Sequence, residues 1–214
     1  MSSLRIEKME LGPIGTNAFI VYEDGGSEAV LIDAPLDCNQ SIIPFLEKKS
    51  LNLIQIWLTH GHWDHMAGAA SMVSDDMVVV GHPDDKVLFE KPALMSSFAI
   101  PGVDFQPITI TKWIEHGDKL DLWGREVEIR HCPGHCPGNI IFWIRKENIC
   151  FVGDVIFSGS IGRADLPGGD FVTLEKSIQN HIYTLPAETK ILPGHGPDTL
   201  VSDEIRANPF VRPL

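Results

Sequence analysis

The segment Thr59-His60-Gly61-His62-Trp63-Asp64-His65 gathers three imidazoles and one carboxylate within six positions. His60 and His62 stand two apart on an extended stretch, so both rings project to one side. Asp64 and His65 follow where the chain is expected to turn into a helix. Their side chains therefore point differently and can address a second ion. Gly61 lets the backbone pass close to the cluster. This mix of nitrogen and carboxylate donors suits zinc or iron. A surface loop that merely happens to be rich in histidine is the plain alternative. The position directly behind the apolar strand Leu53–Leu58 speaks against it.

The rest of the chain supplies what a two-metal site still needs. His135 sits in Cys132-Pro133-Gly134-His135-Cys136-Pro137-Gly138, Asp154 in Phe151-Val152-Gly153-Asp154, and His195 in Leu192-Pro193-Gly194-His195-Gly196. Each lies on a glycine-containing loop at or near a strand end, where a rigid scaffold holds functional groups. Seven ligands shared by two ions leave room for a bridging water. Asp33 ends another apolar strand, Val30-Leu31-Ile32, and by itself reads as a helix or turn cap.

The elements that must position these residues follow from periodicity. Strands are expected near Arg5–Leu11, Ala18–Tyr22, Ala29–Ile32, Leu53–Leu58 and Met77–Val80. In the second half they fall at Lys119–Leu122, Val127–Arg130, Ile140–Ile144, Ile149–Val152 and Lys190–Leu192. Helices are expected over Gln40–Lys49, from Asp64 or His65 to about Ser74, and over Val172–Tyr183. Pro44 is tolerable only in the first turn of its helix. Residues 83–100 read as short helical pieces forming a surface insertion or a lid. Strands with interspersed helices across two halves suggest an α/β fold, an αββα sandwich, although the pattern alone does not separate it from other α/β layouts; residues 1–214 are expected to form a single domain.

Hydrophobic residues make up 43% and charged residues 21%, an ordinary globular composition. Seventeen basic against 29 acidic residues give a net charge of −12, which disfavours a nucleic-acid partner. The N-terminus has no apolar stretch behind a basic start, and the apolar runs are of strand length. A cytoplasmic protein without membrane partners is expected. The four cysteines, Cys38, Cys132, Cys136 and Cys150, are expected as thiols, with Cys132 and Cys136 packing as small residues rather than ligating metal. His116 and His181 read as core or surface residues, His131 has no motif role, and His82 reads as structural, with lining of the pocket as its alternative. Arg163 follows Asp154 on a glycine-rich loop. It is expected either to pair with Asp165 or to bind a substrate carboxylate.

Taken in order, H-x-H-x-D-H and the later P-G-H, G-D and G-H loops resemble the metallo-β-lactamase superfamily over nearly the whole chain. The stretch 153–170, Leu192–Asp198 and Asn208-Pro209-Phe210 are similar to its glyoxalase II-like branch. The resemblance implies that His60, His62 and His135 hold one metal, that Asp64, His65 and His195 hold the other, and that Asp154 bridges them. Two divalent ions are implied, zinc first and iron or manganese next, with Asp33 supporting the site from behind the ligands. The family often carries Thr where Cys132 and Cys136 stand. Full-length glyoxalase II has a further C-terminal helical domain that helps hold glutathione, and a short form lacking it is expected here.

The implied chemistry is attack of a metal-bridging hydroxide, oriented with the help of Asp64, on a small-molecule thioester such as S-lactoylglutathione. No G-x-S-x-G nucleophile elbow is present in the sequence. Three rivals remain. A persulfide dioxygenase would use one iron on His60, His135 and Asp154. A phosphodiesterase or nuclease would need a basic groove. A structural metal domain would favour a closed, Cys-rich site. A β-lactamase would be expected to carry an export signal.

Overall fold

The computed structural model describes residues 2–103 and 105–214. They divide into two compact units. The first comprises the chain up to Gly81 together with Lys86–Trp113; the second comprises His82–Asp85 and Ile114–Leu214.

In the first unit, β1 (Leu4–Leu11), β2 (Thr16–Glu23) and β3 (Glu28–Ile32) form an antiparallel meander. The sheet continues in parallel through β4 (Asn52–Trp57), β5 (Val78–Gly81) and β6 (Lys112–Trp113). Strands β2, β3 and β5 are buried along most of their length, which explains their unbroken apolar runs. The core gathers Ile20, Leu31, Ile56, Val79 and Phe89.

Helix α1 (Asn39–Lys49) buries Ile42 and Leu46 and leaves Ile43 exposed. Pro44 lies past its first turn, contrary to expectation. The missing N–H costs one helical bond, to the carbonyl of Gln40. Gln40 is exposed, so water can satisfy that carbonyl.

Helix α2 is only Trp63–Met66, followed by a 3₁₀ turn at Ala69–Ser71, so the expected helix to Ser74 does not form. Its backbone groups are taken elsewhere. The Ala34 N–H donates to the His65 carbonyl at 2.7 Å, and the Gly68 N–H donates to the Ala34 carbonyl at 2.9 Å. A Cβ on Gly68 would stand 2.1 Å from the Pro35 carbonyl oxygen, so only glycine permits this approach. The segment after β5 runs as short helical pieces, including α3 (Lys86–Glu90) and a 3₁₀ stretch at Pro92–Phe98.

The second unit holds another six-stranded sheet. Strands β7 (Lys119–Leu122), β8 (Arg125–His131), β9 (Ile140–Ile144) and β10 (Ile149–Gly153) run antiparallel. β13 (Lys190–Pro193) then joins β10 in parallel, and β14 (Thr199–Leu200) closes the edge. A hairpin of β11 (Ile156–Phe157) and β12 (Ser160–Ile161) lies between β10 and β13 in sequence.

The helix expected at Val172–Tyr183 is α4 (Phe171–Ser177), capped by the Asp170 carboxylate accepting from the Thr173 N–H. It runs into a π-helical turn at Ile178–Ile182. Helix α5 (Val201–Ala207) was not anticipated from the sequence; it buries Val201 and Glu204. Among the described residues, no helix is long and apolar enough to cross a membrane.

Candidate metal centre

In the first unit the ligand candidates leave β4 as one continuous loop into α2, and His60, His62, Asp64 and His65 are all buried. The His60 ring lies 4.7 Å from that of His62 and 4.1 Å from that of His65, centroid to centroid. Asp33 organises them. It sits just past β3 with φ at +58°, a backbone that few side chains adopt and one that an aspartate can satisfy with local hydrogen bonds. Its carboxylate accepts from the Thr59 N–H and hydroxyl, both at 2.8 Å, and from the His65 Nδ1–H at 2.7 Å.

Proton bookkeeping then fixes the tautomers of neutral imidazoles. The Thr59 hydroxyl gives its proton to Asp33, so Thr59 Oγ1 can only accept from His60 Nδ1, 3.0 Å away. His60 and His65 thus carry their protons on Nδ1 and present Nε2 lone pairs. The Nε2 of His65 faces Asp64 Oδ2 at 3.2 Å, acceptor against acceptor. Asp64 itself accepts from the buried Thr16 hydroxyl at 2.9 Å. Thr16 was not singled out in the sequence, because a threonine opening a strand is an ordinary strand residue.

The second unit repeats this arrangement with dispersed residues. His135 donates its Nδ1–H to the Arg163 carbonyl at 2.7 Å, so its Nε2 is the lone-pair nitrogen. That nitrogen faces Asp154 Oδ2 at 3.5 Å. His195 Nε2 lies 3.6 Å from the same oxygen. Two backbone contacts bring these loops together. The Gly194 N–H donates to the Gly153 carbonyl at 2.8 Å. Gly162 passes so close to Asp154 that a Cβ would stand 1.8 Å from its carbonyl oxygen.

In neutral form, a lone pair aimed at a carboxylate is repulsive unless a cation stands between them. Each unit holds such a pairing. The donor set of imidazole nitrogens and carboxylate oxygens, with Nδ1 tied back to a carboxylate or carbonyl, fits a divalent transition metal.

The Arg163 guanidinium makes a two-pronged pair with Asp165, both bonds at 2.8 Å, and this holds the Asp165 carboxyl down at about 2. Its backbone carbonyl, not its side chain, serves His135. Cys132 and Cys136 are fully buried. Burial pushes the Cys132 thiol well up, and the Cys136 S–H donates to the carboxylate of Asp85 at 3.1 Å. Asp85 also accepts from the Gly138 N–H at 2.7 Å, so a fully buried carboxylate holds the loop that carries His135. It too escaped the sequence reading, since Asp84-Asp85 after a proline looks like a solvated turn.

The sequence profile of the metallo-beta-lactamase superfamily matches residues 11–195, a span that includes every ligand candidate. The chain belongs to the metallo-β-lactamase superfamily. Its α/β fold with two sheets is the family's. The chain is 36% identical to "Hydroxyacylglutathione hydrolase GloC" of Haemophilus influenzae, with 97% of this chain and 98% of that protein covered. Among solved structures, the BLEG-1 B3 metallo-beta-lactamase matches with a TM-score of 0.86 at 36% identity, over 97% of this chain and 99% of that one. TTHA1623 in a di-iron-bound form matches with a TM-score of 0.84 at 35% identity, over 96% and 100%. A metal-dependent hydrolase with His/Asp metal-binding clusters follows from the family and from the donors described.

Proposed function

We propose that the protein hydrolyses a small-molecule thioester, with S-lactoylglutathione as the representative substrate, at a pair of divalent metal ions. The observation that carries this reading is the acceptor-against-acceptor pairing, His65 on Asp64 and His135 on Asp154. Similarity to GloC over nearly the full length supports the substrate class. His60, His62 and His135 would hold one ion, Asp64, His65 and His195 the other, and Asp154 both. Zinc suits the donors, and iron is the alternative that the di-iron form of TTHA1623 supports.

When bound, the ions lower the pKa of a water toward neutrality and polarise the substrate carbonyl. The chain's own residues do the rest. Asp33 keeps the Nε2 lone pairs of His60 and His65 presented. Thr16 fixes the Asp64 carboxylate, which takes a hydrogen bond from the attacking water and sets its direction. The departing thiolate is a stable anion, since an ordinary thiol has a pKa of about 8.5, so no strong general acid is required. Among the described residues no disulfide links the four cysteines, which suits a reducing cytoplasmic setting.

The test is metal content by elemental analysis, read with S-lactoylglutathione hydrolysis on the same sample. Two metals per chain with turnover is the expected result. One iron per chain, no hydrolysis and oxygen uptake with glutathione persulfide would overturn it. The similarity to BLEG-1 favours a second reading, β-lactam hydrolysis by the same residues. Turnover of nitrocefin well above that of the thioester would move the substrate class there.

A further inference from the structure

The chain has nine histidines. Five belong to the ligand clusters already described. The other four, His82, His116, His131 and His181, all fall in the second unit and follow one another in space. The rings of His82 and His131 stack at 4.0 Å with 17° between their planes. The His131 N–H donates to His116 Nδ1 at 3.3 Å, and the His116 and His181 rings lie 5.0 Å apart. At the His82 end a carboxylate joins the run. Asp84 Oδ2 is 3.8 Å from His82 Nδ1 and 3.7 Å from His131 Nε2, and these three side chains offer donor atoms within 4.8 Å of one another. The Pro137 carbonyl oxygen stands 2.6 Å from His131 Nε2.

We propose that His82, Asp84 and His131, completed by the Pro137 carbonyl, form an accessory site for a divalent transition metal such as zinc, sharing no residue with the dinuclear set.

The distances suit that use. Zinc bonds of about 2.0–2.2 Å place neighbouring tetrahedral donors roughly 3.3–3.5 Å apart. The two separations to Asp84, 3.8 and 3.7 Å, exceed that by a few tenths of an ångström, while the Pro137 oxygen, 2.6 Å from His131 Nε2, has to move away from it on binding. Asp84 can close the gap, because its side chain is 55% exposed and can swing, whereas His82 is 5% exposed and fixed.

His82 holds its lone pair on Nδ1, where it accepts from the Asp84 N–H at 3.2 Å; binding an ion there breaks that hydrogen bond, and the N–H of the exposed Asp84 turns to solvent. Burial first, and the neighbouring His131 second, hold its pKa down to about 4, so it stays neutral at physiological pH.

His131 is the group that must change. Its Nε2–H donates to the Pro137 carbonyl. On binding, that proton leaves to solvent and Nδ1 takes one up, so the imidazole remains neutral and no net proton is released. The carbonyl, relieved of its donor, turns its oxygen to the ion. Two imidazoles, one carboxylate and one carbonyl make an N2O2 set of the borderline kind that zinc, nickel and copper accept.

The site has a structural consequence. Asp84 precedes Asp85, whose carboxylate holds the Gly138 N–H and the Cys136 thiol. An ion joining Asp84 to His131 and Pro137 would therefore fasten the 82–85 segment to the 131–138 loop at a second point.

The experiment is zinc titration of the metal-loaded protein by calorimetry and equilibrium dialysis, comparing wild type with Asp84→Asn and with Asp84→Asn/His131→Gln. Wild type is expected to take up one zinc beyond its resident metals at micromolar free zinc. Asp84→Asn should weaken that uptake at least about tenfold, since losing even a residue behind a ligand costs that much. The double variant should abolish it, with resident metal content and basal turnover unchanged. Copper(II) bound to wild type should show hyperfine coupling to two imidazole nitrogens by electron paramagnetic resonance, and this coupling should disappear in the double variant. Equal uptake by wild type and double variant, or uptake only at millimolar zinc, would overturn the site and leave His82 and His131 as stacked packing. His60→Ala separates the two proposals, because it should lose resident metal and keep the accessory zinc.

Discussion

Asp33 in the first unit and Asp85 in the second are both almost completely buried, at 1% and 0% exposure, and both hold a ligand-bearing loop. They do so differently. Asp33 touches a candidate ligand directly, through His65 Nδ1, and reaches His60 through Thr59. Asp85 holds the backbone and a thiol of the loop that carries His135. The first carboxylate sets which nitrogen carries a proton, and so belongs to the chemistry of metal binding. The second sets where a loop lies, and so belongs to stability. His135 obtains its own proton partner from a backbone carbonyl, that of Arg163, which a side-chain substitution cannot remove.

Four substitutions test this contrast in falling order of effect. Asp154→Ala removes the carboxylate that faces both His135 and His195, so metal retention and turnover should both vanish by elemental analysis and assay. Full activity in this variant would break the assignment of the second unit's cluster.

Asp33→Asn keeps the volume and replaces an acceptor with an amide that cannot serve His65 Nδ1 and Thr59 together. Metal affinity measured by chelator competition should fall about 10–100-fold in a protein that still folds. Unchanged affinity would show that the tautomers do not depend on Asp33.

Asp85→Ala strands the buried Gly138 N–H and should lower unfolding free energy by about 1–3 kcal/mol in urea melts. At saturating metal its stoichiometry should be that of wild type. If it released metal as readily as Asp33→Asn, the distinction between the two carboxylates would collapse.

The smallest effect is expected from Arg163→Gln. The carbonyl that serves His135 remains, so metal content should not change. The Asp165 carboxyl, held at about 2 mainly by its hydrogen bond to Arg163, should titrate nearer the usual carboxylate range in the variant. A carboxyl depressed on folding favours the fold above its unfolded pKa. In wild type that contribution disappears only as pH falls through about 2. A raised KM with unchanged metal content would instead show that Arg163 meets the substrate.

Much of this was legible from residue order. The ten expected strands were placed to within a residue or two, because apolar runs of strand length leave a strong signal, whereas the two-residue strands β6, β11, β12 and β14 were not anticipated. The helix after His65 was not. Gly68 approaches Pro35 too closely for any side chain, and Ala34 takes over the His65 carbonyl and the Gly68 N–H, so tertiary bonds end what local periodicity would extend. Pro44 was misjudged for a related reason, since the cost of its missing N–H depends on whether the orphaned carbonyl meets water. Thr16 and Asp85 were not visible because their types are commonplace at their positions. Only the partner each one meets, Asp64 and Cys136 with Gly138, distinguishes them.

The sequence alone determined which residues have metal-binding chemistry, because imidazole and carboxylate donors at H-x-H-x-D-H spacing, followed by three glycine-lined loops, identify themselves by type and order. It could not decide which nitrogen of each imidazole is free to bind. That follows from proton partners 28 residues away for His135 and 32 for His65, at the Arg163 carbonyl and the Asp33 carboxylate. Hydrogen-bond partners distant in sequence are set by folding, so tautomer and ring direction belong to the tertiary structure alone.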